Sequence, residues 1–379
     1  MFDSEAQMSC VSIVRCESYE PSLVEKAVRE ACISAGMPDV QDKTILLKPN
    51  ILSDSKEELG ITTHSQVVRS VIRFLKEQGA KRILIGDSPG LHTPNFRPRA
   101  SGIWKVIQEE EVEWADFTDH PTTYTIPYSR NKKLPLPSLL EEVDLLFSLP
   151  KMKTHQLMYA TGAIKNLFGL VPNLHKSPCH LSFPTREQFA SLMVGIAAVA
   201  KASFALMDGV IAMEGPGPAN GLSLPIGLIL ASKDLVALDY AQAEIMGYNP
   251  IDVPIVAEGL KRGLGKAPSE YPNLKAHDLV KTDYKRIDVQ KKTRFFHALI
   301  LPFFAGPFVR WRVKRQRKAP LFLEEACILC KKCIQICPVD ALQVEKKHVV
   351  IDENRCIRCY CCHEVCPASA ILVDEEIPS

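Results

Sequence analysis

Two copies of one cysteine pattern constrain this 379-residue chain more than any other feature. Cys327, Cys330, Cys333 and Cys337-Pro338 spell C-x-x-C-x-x-C-x-x-x-C-P, and Cys356, Cys359, Cys362 and Cys366-Pro367 repeat it 29 residues further on. Such runs hold 4Fe–4S clusters, the fourth cysteine of each run ligating the cluster of the other. The spacing predicts one cluster on Cys327, Cys330, Cys333 and Cys366 and a second on Cys356, Cys359, Cys362 and Cys337. Thiolates suit iron–sulfur centres, whereas zinc sites favour paired C-x-x-C hooks over three-plus-one runs. Cys361 adjoins Cys362, and a slipped register would exchange them. Spacing favours Cys362 as the ligand and leaves Cys361 as a bystander or local tuner. A chain built this way is expected to handle single electrons.

Thirteen cysteines do not make this a secreted disulfide scaffold, because such scaffolds are short and eight of these cysteines sit in ligand spacing. The first residues, MFDSEAQMSC, carry early acids and no apolar stretch of the signal-peptide kind. No run reaches the ~18 apolar residues of a spanning helix. The expected location is cytoplasmic. The net charge of +2 hides an asymmetry: residues 285–318 hold eleven Lys or Arg against the single acid Asp288, and residues 321–379 hold ten acids against six bases.

Before residue 265 or so, β-rich runs alternate with helical patterns. Strands are expected over Val11–Val14, Thr44–Lys48, Arg82–Ile85, Val112–Phe117, Val143–Ser148, Phe204–Met207 and Ile226–Ala231. Helices are expected over Ser22–Ala35, Ser65–Gln78, Gly102–Glu109, Arg186–Lys201 and Leu235–Met246, with Thr63 as N-cap of the second and His64 as its first residue. Alternation of this kind predicts an α/β fold with a largely parallel sheet and helices on both faces. The expected division is an α/β domain over 8–265, a connector over 266–318 and a small α+β two-cluster module over 319–379. Within that module, Ala341–Val344 and His348–Ile351 should form a hairpin about Glu345-Lys346-Lys347.

The connector carries an apolar run, Phe295–Val309, followed by Arg310–Lys318. With Pro302 and Pro307 inside, it is too short and broken to span a bilayer. It reads as a wedge between domains, its basic end facing the acidic module. The alternative is a peripheral anchor through 295–318 at the inner membrane face. Cys10, Cys16 and Cys32 read as buried, inert thiols. Cys179 lies in a polar stretch with His175 and His180, where a reactive thiol or a ligand group is the sharper alternative to an inert one.

Polar residues gather where strands end: Lys48-Pro49-Asn50, Gly86-Asp87-Ser88, Pro150-Lys151-Met152-Lys153-Thr154-His155 and Asp208-Gly209. Open α/β sheets bind ligands in the crevice at the carboxyl ends of their strands. One site is therefore expected, with Lys48, Asn50, Lys151, Lys165, Asn166 and Glu214 binding substrate. His64, Asp87, Lys153, His155 and Asp208 would handle protons. This cation-rich set suits an anionic small molecule, a carboxylate or a phosphate. Gly86-Asp-Ser-Pro-Gly90 matches G-x-S-x-G, but no helix pattern follows it as a nucleophile elbow requires. Gly215–Gly221 misses the dinucleotide fingerprint by one residue, and no phosphate-binding loop motif occurs.

These residues carry a resemblance. Lys48-Pro-Asn50, Thr63-His64, Gly86-Asp87-Ser88, Pro150-Lys-Met-Lys-Thr-His155, Thr161-Gly-Ala-Ile-Lys-Asn-Leu-Phe-Gly169, Asp208-Gly209 with Glu214-Gly215 and Gly217, and Asp234–Asp239 resemble the domain-of-unknown-function family 362 over about residues 8–265. Members often carry a C-terminal bacterial-type two-cluster ferredoxin module. The resemblance implies the architecture and the choice of site residues and leaves the substrate open. Cys361 departs from ferredoxin modules, which commonly have a small residue there.

The function expected is an iron–sulfur oxidoreductase passing low-potential electrons, exchanged with an external ferredoxin or reductase, to an anionic small molecule in the crevice. The alternatives are a non-catalytic electron carrier or adaptor docking a partner or membrane surface, and a metal-dependent enzyme whose clusters are structural or sensory. No nucleic-acid partner is expected.

Overall fold

The structure is a computed structural model that describes residues 9–91, 95–130, 132–289 and 317–376. Most of the apolar and basic run over 295–318 lies outside the described residues.

A mixed sheet organises the α/β domain. Its strands are β1 (Ser12–Arg15), β2 (Thr44–Pro49), β3 (Arg82–Gly86), β4 (Glu113–Ala115), a separate hairpin β5 (Pro121–Ile126) and β6 (Lys132–Pro137), β7 (Leu145–Leu149), β8 (Lys151–His155), β9 (Tyr159–Thr161), β10 (Phe204–Glu214) and β11 (Leu222–Ser232). The order is β1-β11-β10-β7-β2-β3-β4, with β8 also beside β10 and β9 beside β8. From β10 through β4 all pairings are parallel, and β1 and β11 add an antiparallel edge.

Helices cover both faces. In β2, Ile45 and Leu47 face the core of α1 (Pro21–Ser34) and α2 (Ser65–Glu77), while Leu46 faces the opposite core. A strand buried on both sides reads as a continuous apolar run, which is why Thr44–Lys48 is legible without alternation. α3 (Ile103–Glu109) joins the first face. The short α4 (Ala163–Asn166) and α5 (Ser177–Ser182), with α6 (Arg186–Ala200), α7 (Leu235–Ile245) and α8 (Pro254–Lys261), build the second. Helix starts follow local chemistry: Thr185 and Gln188 form a capping box on α6, and Asp234 accepts from the Val236 and Ala237 amides of α7.

Three sequence readings need correction. His64, not Thr63, caps α2, its Nδ1 accepting from the Gln66 amide at 3.1 Å. Thr63 is instead tied inward, Oγ1 donating to the Leu149 carbonyl at 2.6 Å. Lys151–His155 is strand rather than a strand-exit loop: Pro150 breaks β7, and β8 takes its place beside β10. Asp208 consequently sits inside β10, which runs on to Glu214 past a bulge between Gly209 and Ile211. The hairpin β5–β6 was not legible beforehand. Residues 266–289, read as the start of the connector, pack onto this domain through buried Ala276, Tyr284 and Ile287.

In the C-terminal module, β12 (Leu321–Phe322) pairs β15 (Ile371–Leu372), and β13 (Leu342–Glu345) pairs β14 (His348–Ile351). Lys346 and Lys347 take positive φ of 45° and 68°, the backbone a two-residue hairpin turn requires. The Gly/Pro-rich turn between β10 and β11 clasps this module. Asn220 Nδ2 donates to the His363 carbonyl at 3.0 Å, Ser369 Oγ donates to Asn220 Oδ1 at 3.0 Å, and His363 Nε2 lies 3.1 Å from the Pro216 carbonyl.

Candidate functional site

A crevice of about 760 Å³, counted to its open mouth, lies at the carboxyl ends of β2 and β3. Lys48 and Asn50 leave β2, Asp87 and Ser88 leave β3, and Lys165 and Asn166 come from α4. Its opposite wall belongs to the C-terminal module: Ile336, Cys361, Glu364 and Val365. Lys48 is fully buried, its ammonium 2.7 Å from Asp87 Oδ1. Asp87 Oδ2 also accepts from the Ile51 amide at 2.6 Å. Asn166 Nδ2 donates to the Lys48 carbonyl at 2.8 Å, and its Oδ1 accepts from Asn50 Nδ2 at 3.1 Å. α4 is itself anchored from below, because Asp239 accepts from the Ala163 and Ile164 amides at 2.5 and 3.1 Å. The floor is thus a rigid, mutually satisfied network.

The walls are not satisfied. Thr161 Oγ1, Ser177 Oγ and His180 Nδ1 are buried, line the crevice and have no hydrogen-bond partner among the described residues. Buried polar atoms are nearly always paired in folded proteins, so such a cluster marks a place for a ligand or water. Lys165 makes no hydrogen bond or ion pair within 4.0 Å among the described residues, and burial lowers its pKa against the pull of Glu364. Lys176 donates to the Ser88 and Val171 carbonyls, and burial lowers its pKa to about 7. Burial likewise lowers His180 to about 4, and its ring stacks on Phe189 at 4.4 Å.

His155 and Glu364 join the two domains here. His155 Nδ1 accepts from the Leu157 and Met158 amides, and Nε2 lies 3.2 Å from Glu364 Oε1, close enough for an ion pair but without hydrogen-bond alignment. Burial, reinforced by Lys165, lowers His155 to about 4, so the ring is neutral at pH 7. Burial opposes ionisation of Glu364, but His155 and Lys165 outweigh it and its pKa falls to about 2.

The other expected site residues lie behind the crevice. Lys151 and Asp208 pair at 2.8 Å. Tyr19 OH donates to Asp208 Oδ1 at 2.9 Å and accepts from Lys151 Nζ at 2.6 Å. The Tyr19 ring stacks on His64 at 3.6 Å, and burial lowers the His64 pKa. Lys153 is fully buried and donates to Asn50 Oδ1 and the Ile61 carbonyl, its pKa far below the usual lysine range because of burial. Glu214 is tied to the Lys285 amide at 2.9 Å. His64, Lys151, Lys153, His155, Asp208 and Glu214 do not line the crevice itself. Lys153 and His155 reach it through Asn50 and Glu364.

Two small voids in the C-terminal module are lined in part by cysteines. One, of about 330 Å³, is lined by Cys327, Cys330, Cys333 and Cys366. The other, of about 340 Å³, is lined by Cys337, Cys356, Cys359, Cys361 and Cys362. Each void brings one cysteine run together with the last cysteine of the other, which fits the iron–sulfur donor set. Cys361 lines both the second void and the crevice. Cys179 is buried with its Sγ donating to the His175 carbonyl, and burial raises its pKa to about 11, so it is not an activated thiol.

Residues 45–244, more than half of the chain, match the family described as Domain of unknown function (DUF362). The chain belongs to the DUF362 family. Residues 312–370 match the 4Fe-4S dicluster domain, making this an iron–sulfur member. A thylakoid-associated protein of Synechocystis sp. is 28% identical over 285 residues, covering 74% of this chain and 88% of that protein. Among solved structures, the lactate racemase apoprotein from Thermoanaerobacterium thermosaccharolyticum aligns over 63% of this chain and 56% of its own, with TM-score 0.42 and 14% identity. A Thermotoga maritima protein solved by a structural genomics consortium covers 56% of this chain and 55% of its own, with TM-score 0.34 and 14% identity. The chain therefore spans little more than half the length of these two structures.

Within this DUF362 chain, sequence reasoning missed Thr161, Ser177, Lys176, Glu364 and Tyr19 as site-forming groups. Thr161 was visible as the first residue of the Thr-Gly-Ala-x-Lys-Asn segment. Tyr19 and Glu364 carried no local signal, since their neighbours in space lie far away in sequence.

Proposed function

We propose that this protein is an iron–sulfur oxidoreductase whose substrate is a small anion, a carboxylate or phosphate, held between the α/β domain and the ferredoxin module. The observation that carries this reading is the set of unpartnered groups around the crevice: Thr161 Oγ1, Ser177 Oγ, His180 Nδ1 and the Lys165 ammonium. Hydroxyls and an ammonium converging on one volume are anion donors. Lys48, Asn50 and Asn166 shape the floor beneath the anion. Lys153 braces Asn50, while Lys151, Asp208, His64 and Glu214 serve as framework. Asp87 and Glu364, which line the crevice, with His155 behind Glu364, would hold or pass protons there.

Two 4Fe–4S clusters are assigned, on Cys327, Cys330, Cys333 and Cys366 and on Cys337, Cys356, Cys359 and Cys362. When bound, they supply electrons one at a time. The test is anaerobic purification, iron analysis and mass spectrometry of small molecules released on denaturation. About eight irons per chain are expected, and a co-purified anion should be lost in Lys165→Met. About four irons would sink the two-cluster assignment. An anion retained equally by Lys165→Met would sink the crevice.

A second reading, an electron carrier or adaptor at a membrane surface, is favoured by the thylakoid association in the name of the Synechocystis relative. Among the described residues no helix is long and apolar enough to cross a membrane. Peripheral contact through 295–318 would therefore be the mode. Vesicle flotation of the intact chain against one lacking 295–309 tests it: equal flotation removes this reading.

A further inference from the structure

The two cysteine-lined voids face different surroundings. The void of Cys337, Cys356, Cys359 and Cys362 shares Cys361 with the crevice, and Glu364 on the same helical turn reaches His155 across the domain boundary. The void of Cys327, Cys330, Cys333 and Cys366 shares no lining residue with the crevice. Its wall instead opens outward: Cys330 is exposed, Ile328 is 65% exposed, and Lys331 is its one charged lining residue. The neighbouring Leu321 and Leu323 are exposed as well.

We propose that the rim Ile328–Cys330–Lys331 is the docking face for an acidic, soluble one-electron iron–sulfur carrier, and that the Cys361–Glu364 turn is the separate face through which the module meets the crevice ligand. This inference rests on the two-cluster reading above. Electron transfer between proteins needs a ligand edge near the surface, and among the described residues Cys330 of the first void is the one exposed cysteine, Cys337 and Cys359 of the second being half-buried. Ile328 is an exposed apolar residue close to Lys331 and Lys332, and this local positive charge fits a small contact with a negatively charged carrier. Each encounter moves one electron and no atoms: the carrier is oxidised as the module is reduced, or the reverse. Cys361 and Glu364 have no such exposed rim. Their positions on the crevice wall suit the inner exchange, where the anion lies against the module.

The experiment uses the anaerobically purified full chain with its iron. The probe is a small acidic iron–sulfur carrier protein, reduced with dithionite and freed of excess reductant, mixed with the chain in a stopped-flow instrument. Ile328→Glu and Lys331→Glu should each slow the second-order transfer about tenfold or more by placing like charge at the contact. Ile33→Glu, on the 64% exposed Ile33 of α1, should leave it within about twofold. All three should keep the wild-type electron paramagnetic resonance spectrum. Rates that do not differ among the three variants overturn the docking face.

A second readout needs no carrier. In Cys359→Ser, which spares the outer ligand set, a soluble dysprosium chelate should strongly raise the power needed to saturate the remaining signal. In Cys330→Ser, which spares the inner set, the chelate should do little, and millimolar phosphate should alter the signal instead. Equal or reversed responses overturn the assignment of faces. A wild-type content of about four irons, or loss of one and the same signal in both cysteine variants, identifies the two-cluster reading itself as the failure.

Discussion

His155 on β8 and Glu364 on the ferredoxin module meet with Nε2 and Oε1 3.2 Å apart, a contact between residues more than 200 positions apart in the chain. It lies behind the crevice wall that Glu364 lines and ties the C-terminal module to the framework of the α/β domain. With the clasp of Asn220 and Ser369, it makes the crevice a property of both domains together.

Acid should loosen this arrangement. His155 and His180 both have pKa values lowered from 6.5 to about 4 by burial. Their folded values lie below the unfolded one, so the stability they contribute is present above pH 6.5 and is lost as pH falls toward about 4. The most each can contribute is about 3 kcal/mol. Urea unfolding of wild type and His180→Phe at pH 7 and pH 4.5 checks this, with any acid lability of the clusters common to both. The variant should lose less stability between the two pH values; an identical loss would falsify the assignment.

Two lysines of the same crevice should behave oppositely. Lys165→Met removes a half-buried cation without an ion-pair partner among the described residues, so the melting temperature should hold or rise. Lys48→Met strands the Asp87 carboxylate in a buried site and should cost about 3–5 kcal/mol. Thermal unfolding of the two variants side by side is the measurement. A Lys165→Met protein destabilised as much as Lys48→Met would mean that Lys165 is structural.

Gly169→Ala should collapse the crevice floor. A Cβ there would stand 2.2 Å from Asp87 Oδ1 and 2.5 Å from Lys48 Cε and Nζ. Those atoms are locked in a buried pair, so the overpacking should cost about 1–3 kcal/mol. Calorimetry and loss of the co-purified anion report it. A variant that is both fully stable and anion-loaded would show that the pair can move aside.

Asp239→Ala should free α4 by leaving the Ala163 and Ile164 amides without acceptors. Two unmet buried donors suggest a loss of about 2–5 kcal/mol. Amide hydrogen exchange should rise over 163–166 first. Unchanged protection there would mean that packing alone holds the helix.

Much of the fold was legible because burial on two faces writes itself locally: Thr44–Lys48 and Arg82–Ile85 are apolar runs. Lys48, Asn50 and Asp87 were read together because loops after parallel strands converge by rule, and they do line one crevice with Lys165 and Asn166 of α4. The extension of β10 through Asp208 was not, since a polar Asp-Gly after an apolar run reads as a turn when the Lys151 and Tyr19 that neutralise it are remote in sequence. For the same reason Lys151 and Asp208, expected at the ligand, turned out to satisfy each other.

The sequence by itself determined the class of chemistry, because thiolate spacing around a cluster is a local constraint: eight cysteines in two runs name their donor set without reference to the rest of the chain. Only the tertiary structure decided what surrounds that donor set. Which side chains are left unpartnered, and which cysteine-lined void adjoins the crevice, depends on how two domains dock. Docking is set by contacts such as His155–Glu364 and Pro216–His363, whose members come from distant parts of the chain and carry no pattern in it.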